Sequence, residues 1–407
     1  MRKLYLIVDD WANDQNFVGN ELEFIRKKYD VTVICDPVGS GPVPTVRYMS
    51  YTRPSLIYVP LFILKGIADK ELWQELVRAS KYRTKAGSGT TGRLLEVVRY
   101  YLAAEMFRLY MRKNDCFENG AIYYSYWNTC KCLAITQELE KYPSSRCISR
   151  IHGYDLYDER FKAGYQPFKV AMDGGLSKLI FIAHSGKEYY LERYGIKDSD
   201  KYPVCFLGTK RLQPGEMPEK IKDGYFTVVS CSRIIDLKRV DRIAEALSLI
   251  GNDIKIKWIH FGDGGHFNEV KEKASGLLGD KENILYSFEG RVENRDILDF
   301  YEHNRVDVFI TASSSEGNPV SVMEAMSYGI PVIAPAICDF PYMIRDCGIL
   351  VSEECTAQEL SEAIMSMYFM PEDQIKKLRE NVYKSWDESF NAEKNNKRFV
   401  EEILDKL

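Results

Sequence analysis

Apolar segments and helical segments alternate throughout the second half of the chain. The apolar segments are residues 225–232, 253–262, 283–290, 307–314, 331–337 and 348–352. The segments between them, roughly 239–250, 267–278, 295–302, 319–328 and 341–345, carry apolar residues at helical spacing. Strands buried on both faces form continuous apolar runs, and strands that alternate with helices build a parallel sheet. We therefore predict a doubly wound α/β domain in this half.

The first half of the chain begins in the same way, with a strand over residues 3–10, a helix, and a strand over residues 31–35. At 407 residues the chain is too long for one compact domain. We predict two Rossmann-like doubly wound domains, 1–208 and 209–385. The last segment, 386–407, is predicted to be helical and to cross back onto the first domain.

Composition and charge exclude several classes of protein. Hydrophobic residues make up 45% and charged residues 28%, and the formal net charge is −4. These values are typical of a globular protein and give no indication of a nucleic-acid partner. The ten cysteines form no disulfide or zinc framework. Because the first ten residues predict a strand and no segment reaches about 18 uncharged apolar residues, we expect a cytoplasmic protein, soluble or peripheral to a membrane.

Residues 313–335 contain two glutamates, Glu316 and Glu324, eight positions apart. Between them Asn318 suits a helix N-cap and Pro319 suits the first helical position. This predicts that Glu316 lies in the loop at the carboxyl end of a parallel strand, with Glu324 about two turns into the following helix. The amino end of such a helix attracts an anion.

Cationic and imidazole side chains follow other predicted strands. Arg233 and Lys238 stand in a loop between a strand and a helix, where they can supply cations to a diphosphate. His152 ends the strand predicted over residues 147–153, with Asp155 close behind. Open sheets bind ligands at the carboxyl ends of their strands. Solvated loop charges and a structural histidine are the alternative interpretations of these residues.

The Glu-Gly-Asn-Pro sequence that starts at Glu316, with its helix and flanking strands, resembles the signature of the retaining, nucleotide-sugar-dependent glycosyltransferases of family 4. The resemblance implies GT-B architecture, in which two Rossmann-like domains face each other across a cleft. It also implies transfer of a sugar from a UDP- or GDP-sugar to a hydroxyl of a saccharide or lipid-linked acceptor. The expected setting is bacterial polysaccharide or glycolipid biosynthesis.

The resemblance assigns most of the candidate residues to the donor. These donor-binding residues are Arg233, Lys238, Arg291, Glu316, Gly317, Asn318, Pro319, Val320 and Glu324. Arg233 and Lys238 would hold the diphosphate, and Glu316 would contact the donor sugar. Glu324 would bind ribose hydroxyls, and Arg291 would lie at the nucleotide base.

The acceptor side is assigned to His152, with Asp155 as its neighbour. The residues that the resemblance implies for catalysis are His152, Arg233, Lys238 and Glu316. Members of this family generally need no divalent metal, so we expect neither metal nor cofactor. The Asp-x-Asp sequence at 198–200 is interpreted as a solvated turn. Relatives usually carry a glycine pair in their first loop, whereas residues 10–16 have none.

Residues 65–113 carry eleven Lys/Arg against five Asp/Glu, an excess of six positive charges in an acidic chain. One hypothesis is that these basic helices contact an anionic membrane surface, where a lipid-linked acceptor would lie. The alternative is that they pack on the sheet and expose a solvated basic face.

Two other classes of protein share the predicted architecture. One comprises sugar-nucleotide epimerases and phosphorylases, although the chain shows no cofactor-lysine site of the kind that phosphorylases need. The other is a sugar-nucleotide-binding partner protein with a decayed active site. The presence of Arg233, Lys238, Glu316, Glu324 and His152 together favours an enzyme.

Overall fold

The computed structural model describes residues 1–36, 43, 46–83, 89–211 and 224–407. The chain divides into two compact units. Unit 1 contains Met1–Phe206 and Asn396–Leu407, and unit 2 contains Leu207–Asn395. Each unit is built on its own parallel sheet of six strands.

The strands of unit 1 are β1 (Arg2–Ile7), β2 (Tyr29–Cys35), β3 (Arg47–Ser50), β4 (Ile122–Ser125), β5 (Arg146–Ile151) and β6 (Lys178–Phe181). Its helices are α1 (Trp11–Ile25), α2 (Val59–Ile67), α3 (Lys70–Lys81), α4 (Thr90–Lys113), α5 (Cys130–Glu138), α6 (Lys169–Gly175) and α7 (His184–Tyr194). The sheet order is β3-β2-β1-β4-β5-β6, and all pairs are parallel. This is the strand order of a Rossmann fold.

The strands of unit 2 are β7 (Phe226–Cys231), β8 (Ile256–Phe261), β9 (Ile284–Gly290), β10 (Val308–Ile310), β11 (Val332–Pro335) and β12 (Gly348–Val351). Its helices are α8 (Val240–Ser248), α9 (Phe267–Leu278), α10 (Asn294–His303), α11 (Val320–Ser327), α12 (Phe340–Met343), α13 (Ala357–Tyr368) and α14 (Glu372–Ser385). The order β12-β11-β10-β7-β8-β9 is again parallel throughout. The direction of winding reverses between β7 and β10, which is where such sheets bind ligands.

The end of the chain joins the two units. Trp386 stays in unit 2, where its Nε1 donates a hydrogen bond to Thr209 Oγ1 over 2.9 Å. Helix α15 (Ala392–Arg398) follows. Beyond it, Phe399 and Leu404 are buried in the core of unit 1. The division therefore falls between Asn395 and Asn396, later than the predicted boundary after residue 385.

The two doubly wound sheets predicted from the alternation of strands and helices are confirmed. All ten cysteines are free thiols, six of them buried. Among the described helices, none combines the length and the apolar character needed to span a bilayer.

Candidate functional site

A pocket of 720 Å³ opens in unit 2 at the carboxyl edge of its sheet. It lies among the loops that follow β7, β8, β9 and β10, against the start of α11. The candidate residues that line it are Arg233, Lys238, Arg291, Glu316, Asn318, Pro319, Val320 and Glu324. Gly317 lies in the same loop, between two residues of the wall. The strand reversal between β7 and β10 thus brings together residues that are about 80 positions apart in the sequence.

Lys238 and Glu316 form an ion pair in this pocket. Lys238 Nζ lies 2.5 Å from Glu316 Oε1, and the two side chains are only 18% and 13% exposed. A charge-assisted hydrogen bond between two largely buried side chains is strong. It offsets part of the free-energy cost of removing the two charges from water. The loop of Glu316 is also tied to the loop of Lys238, because the Ser314 amide donates to the Leu237 carbonyl over 2.8 Å.

Arg239 is a positioning residue that the sequence did not indicate. Its backbone adopts a positive φ of 46° at the start of α8. Its guanidinium donates from Nε to the Ala312 carbonyl over 2.6 Å and from Nη2 to the Ser313 carbonyl over 3.0 Å. These bonds fasten the end of β10 to the loop after β7, and so they fix the relative positions of Lys238 and Glu316.

The Gly-rich turn after β8 packs against the backbone that carries Arg233. A Cβ on Gly262, whose φ is 139°, would lie 1.9 Å from the Ser232 carbonyl oxygen. A Cβ on Gly264 would lie 2.3 Å from the Ile234 carbonyl oxygen. Only glycine permits so close an approach. The structure places this turn in the wall of the pocket.

Helix α11 begins one residue later than predicted. Pro319, not Asn318, occupies the N-cap position, because its ψ of 75° is not helical. The Pro319 carbonyl accepts the amides of Val322 and Met323, at 3.0 and 3.1 Å. The Ser321 amide, also in the pocket wall, has no backbone acceptor among the described residues. It is therefore the N–H of this first turn that remains available to an anion.

Glu324 is the most buried carboxyl group of the pocket, with 8% of its surface exposed. Burial raises its pKa to about 7, and the hydrogen bond from Asn294 offsets part of that rise. Asn294 Nδ2 lies 2.8 Å from Glu324 Oε1. An asparagine at position 294 suits the N-cap of α10 by its residue type, but the cap position is Glu293. The amide side chain of Asn294 therefore binds Glu324 in the pocket and does not cap α10.

His152 lies in unit 1 at the carboxyl end of β5 and is 7% exposed. Its ring contacts Trp127 at a centroid distance of 4.2 Å and Tyr126 at 5.1 Å. Burial, followed by the charge of Arg150, lowers its pKa well below the usual value, so the imidazole is neutral at pH 7. Neither ring nitrogen has a hydrogen-bond partner among the described residues. Both nitrogen atoms are buried, and their hydrogen-bonding capacity is unused.

Asp155 positions the backbone around His152. Its carboxylate accepts the amides of His152 and Asn128, each over 2.6 Å. The carboxyl group is 2% exposed, and burial raises its pKa to about 6, against the opposing charge of Lys169. Its contacts are those of a residue that holds a loop in place.

Most of residues 10–16, the segment expected to form the first loop, lies in α1, which begins at Trp11. Asp14 accepts a 2.6 Å hydrogen bond from Trp127 Nε1, and burial raises its pKa to about 6. Asp9 accepts a bond from the Thr129 hydroxyl over 2.7 Å and pairs with Lys131 at 3.1 Å. Asp14, in the first turn of α1, thus supports the Trp127 ring that packs on His152.

The basic segment from residue 65 to 113 is partly neutralised within unit 1. Lys65 and Arg108 both pair with the buried Glu105, at 2.8 and 2.7 Å. Arg112 pairs with Glu138. In the Asp-x-Asp turn, Asp198 pairs with Lys187 at 2.8 Å.

The sequence of unit 2 matches a known family. Residues 216–385 match the model of the family described as Glycosyl transferases group 1. This segment, less than half of the chain, is therefore similar to the group 1 glycosyltransferases. The match covers the pocket, including Arg233, Lys238, Glu316 and Glu324. The predicted resemblance to glycosyltransferases is therefore confirmed at the level of group 1.

Bacterial proteins of glycolipid and polysaccharide synthesis are similar to parts of the chain. The alpha-monoglucosyldiacylglycerol synthase of Streptococcus pneumoniae is 30% identical over 28% of this chain and 25% of its own. A putative teichuronic acid biosynthesis glycosyltransferase, TuaC of Bacillus subtilis, is 25% identical over 61% of this chain and 62% of its own. The chain thus spans a quarter of the first relative and less than two thirds of the second.

Solved glycosyltransferase structures share the fold over the whole chain. The structure of Anabaena Alr3699/HepE in complex with UDP and glucose covers 100% of both chains, with a TM-score of 0.64 and 15% identity. The lipopolysaccharide outer core galactosyltransferase WaaB also covers 100% of both, with a TM-score of 0.66 and 14% identity. These similarities confirm the GT-B fold class.

Proposed function

We propose that this protein is a retaining glycosyltransferase that moves a sugar from a UDP- or GDP-sugar to a hydroxyl of a saccharide or lipid-linked acceptor. The observation that carries the proposal is the pocket of unit 2. It unites three cations, a paired carboxylate, a buried carboxyl group and a helix amino end, all within the segment that matches the group 1 family. Each of these groups suits one part of a nucleotide-diphosphate sugar.

The diphosphate is proposed to bind between Arg233, Lys238 and the first turn of α11. Lys238 can bind a phosphate oxygen without releasing Glu316, because an ammonium group has three donors. The Ser321 amide adds a donor at the positive end of the helix dipole. These fixed positive groups stabilise the charge that develops on the departing diphosphate. We therefore propose that transfer needs no divalent metal.

The nucleoside is proposed to lie between Glu324 and Arg291. A buried carboxylate accepts hydrogen bonds from ribose hydroxyls in comparable dinucleotide folds. Arg291 is exposed at the end of β9, beside Gly290, whose φ is 69°. The Anabaena protein was solved with UDP and with UDP-glucose. That makes uridine donors the first to test.

Retention is proposed to follow from attack on the face of the sugar that the diphosphate leaves. The bond from the anomeric carbon to the phosphate oxygen breaks, and a bond from the acceptor oxygen to that carbon forms. The acceptor proton passes to an oxygen of the departing diphosphate. In this scheme Glu316, held by Lys238, orients the donor sugar and is not a nucleophile. His152 is proposed to bind hydroxyl groups on the acceptor side through its two ring nitrogens.

The test is a donor screen that measures slow hydrolysis without an acceptor. Purified protein would be incubated with UDP-, GDP- and ADP-sugars, and released nucleotide and free sugar would be quantified by mass spectrometry. We expect turnover of one donor that Lys238→Ala abolishes and that Lys271→Ala, at an exposed lysine on α9, leaves unchanged. An epimerised donor would instead identify an epimerase. Binding without turnover would indicate a non-catalytic partner, and neither binding nor turnover would refute the proposal.

A further inference from the structure

Unit 1 exposes an apolar surface, here called the α2 surface, over residues 56–67. Its large exposed side chains are Leu56 (65% exposed), Ile57 (77%), Leu61 (59%), Ile63 (51%), Leu64 (65%) and Ile67 (63%). Within α2 only Phe62 and Gly66 are buried. Single exposed aliphatic residues are ordinary in proteins, but six among twelve consecutive residues are not. Such a surface needs a partner that removes it from water.

The α2 helix is firmly attached to unit 1, so the exposure of its apolar residues is not the result of fraying. A Cβ on Gly66 would lie 2.9 Å from the Leu72 side chain and 3.2 Å from the Tyr101 ring. Lys65 pairs with the buried Glu105, and Trp73 Nε1 donates to the Ile67 carbonyl over 2.9 Å. These contacts fix one side of the helix and leave its leucines and isoleucines facing outward.

The exposed charges in the segment that carries the α2 surface are all positive. In residues 51–83, all of which the structure describes, the six Lys/Arg are exposed and none of the three acids is. The cations are Arg53, Lys65, Lys70, Arg78, Lys81 and Arg83. Asp69 caps α3, Glu71 accepts a bond from Gln137, and Glu75 is buried. This segment therefore combines exposed apolar side chains with exposed cations, here called the rim, of which Lys65 and Arg78 are paired with the buried Glu105 and Glu75.

We propose that the α2 surface binds the interface of an anionic phospholipid bilayer. Its apolar residues enter the boundary between headgroups and acyl chains while the rim contacts anionic headgroups. Nine residues of helix extend about 14 Å, against a hydrocarbon core of about 30 Å, so α2 lies in the interface and does not cross it. The proposal deepens the proposed function, because a lipid-linked acceptor would lie at the same surface.

A second copy of the chain is a poorer occupant. In a symmetric dimer the same patch meets itself, which would bring the exposed cations of residues 51–83 face to face, and this segment has no exposed acid to offset them. The proposal also differs from one based on the basic helices alone. Lys65 and Arg112 are already paired with buried glutamates, whereas the leucines and isoleucines of α2 have no such use within the unit.

The test is vesicle flotation of the full chain. Vesicles of phosphatidylcholine mixed with phosphatidylglycerol would be compared with phosphatidylcholine alone. We expect strong binding to the anionic vesicles, which Leu61→Ser/Leu64→Ser weakens about tenfold or more, since both residues are on the outward face. Lys70→Glu/Lys81→Glu should also weaken it and reduce its sensitivity to salt. Leu249→Ser/Phe369→Ser, at exposed apolar residues of unit 2, should bind as wild type does.

Several results would overturn the inference. Failure of wild type to float with anionic vesicles would be one such result. Equal flotation of Leu61→Ser/Leu64→Ser would be another, because it would leave charge as the sole cause. A wild-type dimer that this variant dissociates, with no vesicle binding, would assign the surface to self-association. Donor hydrolysis separates these failures from a failure of the proposed function. The leucine variant should hydrolyse the donor at the wild-type rate, whether or not it binds lipid.

Discussion

Binding of the donor should release a proton from Glu324. In the free protein this carboxyl group has a pKa of about 7, because it is buried and accepts a hydrogen bond from Asn294 alone among the described side chains. Ribose hydroxyl groups would donate hydrogen bonds to its ionised form and so lower the pKa. By linkage, the nucleotide then binds the ionised protein more tightly than the protonated one.

The size of the effect follows from that pKa of about 7. The ionised fraction of Glu324 is about 0.1 at pH 6 and about 0.9 at pH 8. Affinity should therefore rise about tenfold between pH 6 and pH 8, which is about 1.4 kcal/mol. Binding should release about 0.9 proton at pH 6 and about 0.1 at pH 8.

Isothermal titration calorimetry measures both quantities when the same titration is repeated in buffers of different ionisation enthalpy. The ligand should be the intact nucleotide sugar, because a free terminal phosphate has its own pKa near 6. Glu324→Gln is the control. Its affinity for the nucleotide sugar should be lower than that of wild type at pH 8 and should not change with pH. Equal affinity and no proton release at pH 6 and pH 8 in wild type would refute the assignment of Glu324 to the ribose.

The same pKa has a consequence for stability that needs no ligand. An acid whose pKa is raised by folding stabilises the protein below its unfolded pKa of 4.5, and that contribution is lost as pH rises through about 7. Between pH 5 and pH 8 the loss is about 2.5 kcal/mol. Chemical unfolding should therefore show that Glu324→Gln becomes more stable relative to wild type as pH rises. A constant difference would contradict the raised pKa.

Three further predictions concern the pocket and the core. Glu316→Gln and Lys238→Ala should each reduce turnover about a hundredfold or more, because each leaves the other member of the 2.5 Å pair without its counter-charge. The unfolding temperature of both variants should stay near that of wild type. Near-normal rates in both variants would reject the site. EDTA should leave turnover unchanged in a donor hydrolysis assay, and abolition that added Mg²⁺ or Mn²⁺ restores would contradict the metal-independent scheme. Arg150→Leu should lower the free energy of unfolding by about 3–5 kcal/mol in urea titrations, because it strands the buried carboxylate of Glu21. The double variant with Glu21→Leu should recover much of that loss; an equal or larger loss would contradict the charge argument.

The fold was predictable because buried parallel strands leave an unambiguous pattern. The apolar run over residues 307–314 contains β10 but extends four residues beyond its end, whereas the helix that carries Glu324 was placed to within one residue at each end. The start of α11 was harder, because Asn318 and Pro319 both suit the beginning of a helix. The ψ angle of Pro319 decides between them, and a sequence pattern does not determine that angle.

Residues that act through the backbone of a distant loop were not predictable. Arg239 looked like one more cation at the start of a helix, yet it binds carbonyl groups more than 70 positions away. Asn294 suited a helix cap by sequence, and only its 2.8 Å contact with Glu324 reveals its role in the pocket. The α2 surface could not be predicted from the sequence for a different reason. Its sequence is as apolar as a core helix, and only the packing shows which side faces outward.

The charges of the pocket explain why a partly protonated Glu324 suits an anionic ligand. Arg233, Lys238 and Arg291 face Glu316 and Asp263, so the pocket has one excess positive charge while Glu324 is protonated, and none when it is ionised. The diphosphate is attracted most by the protonated pocket, whereas ribose hydroxyls bind the ionised carboxylate best. These opposing preferences can be separated, because inorganic pyrophosphate has no ribose. Its affinity should survive Glu324→Gln at pH 8, while that of the nucleotide sugar should fall. Equal losses for both ligands would place Glu324 at the phosphates instead.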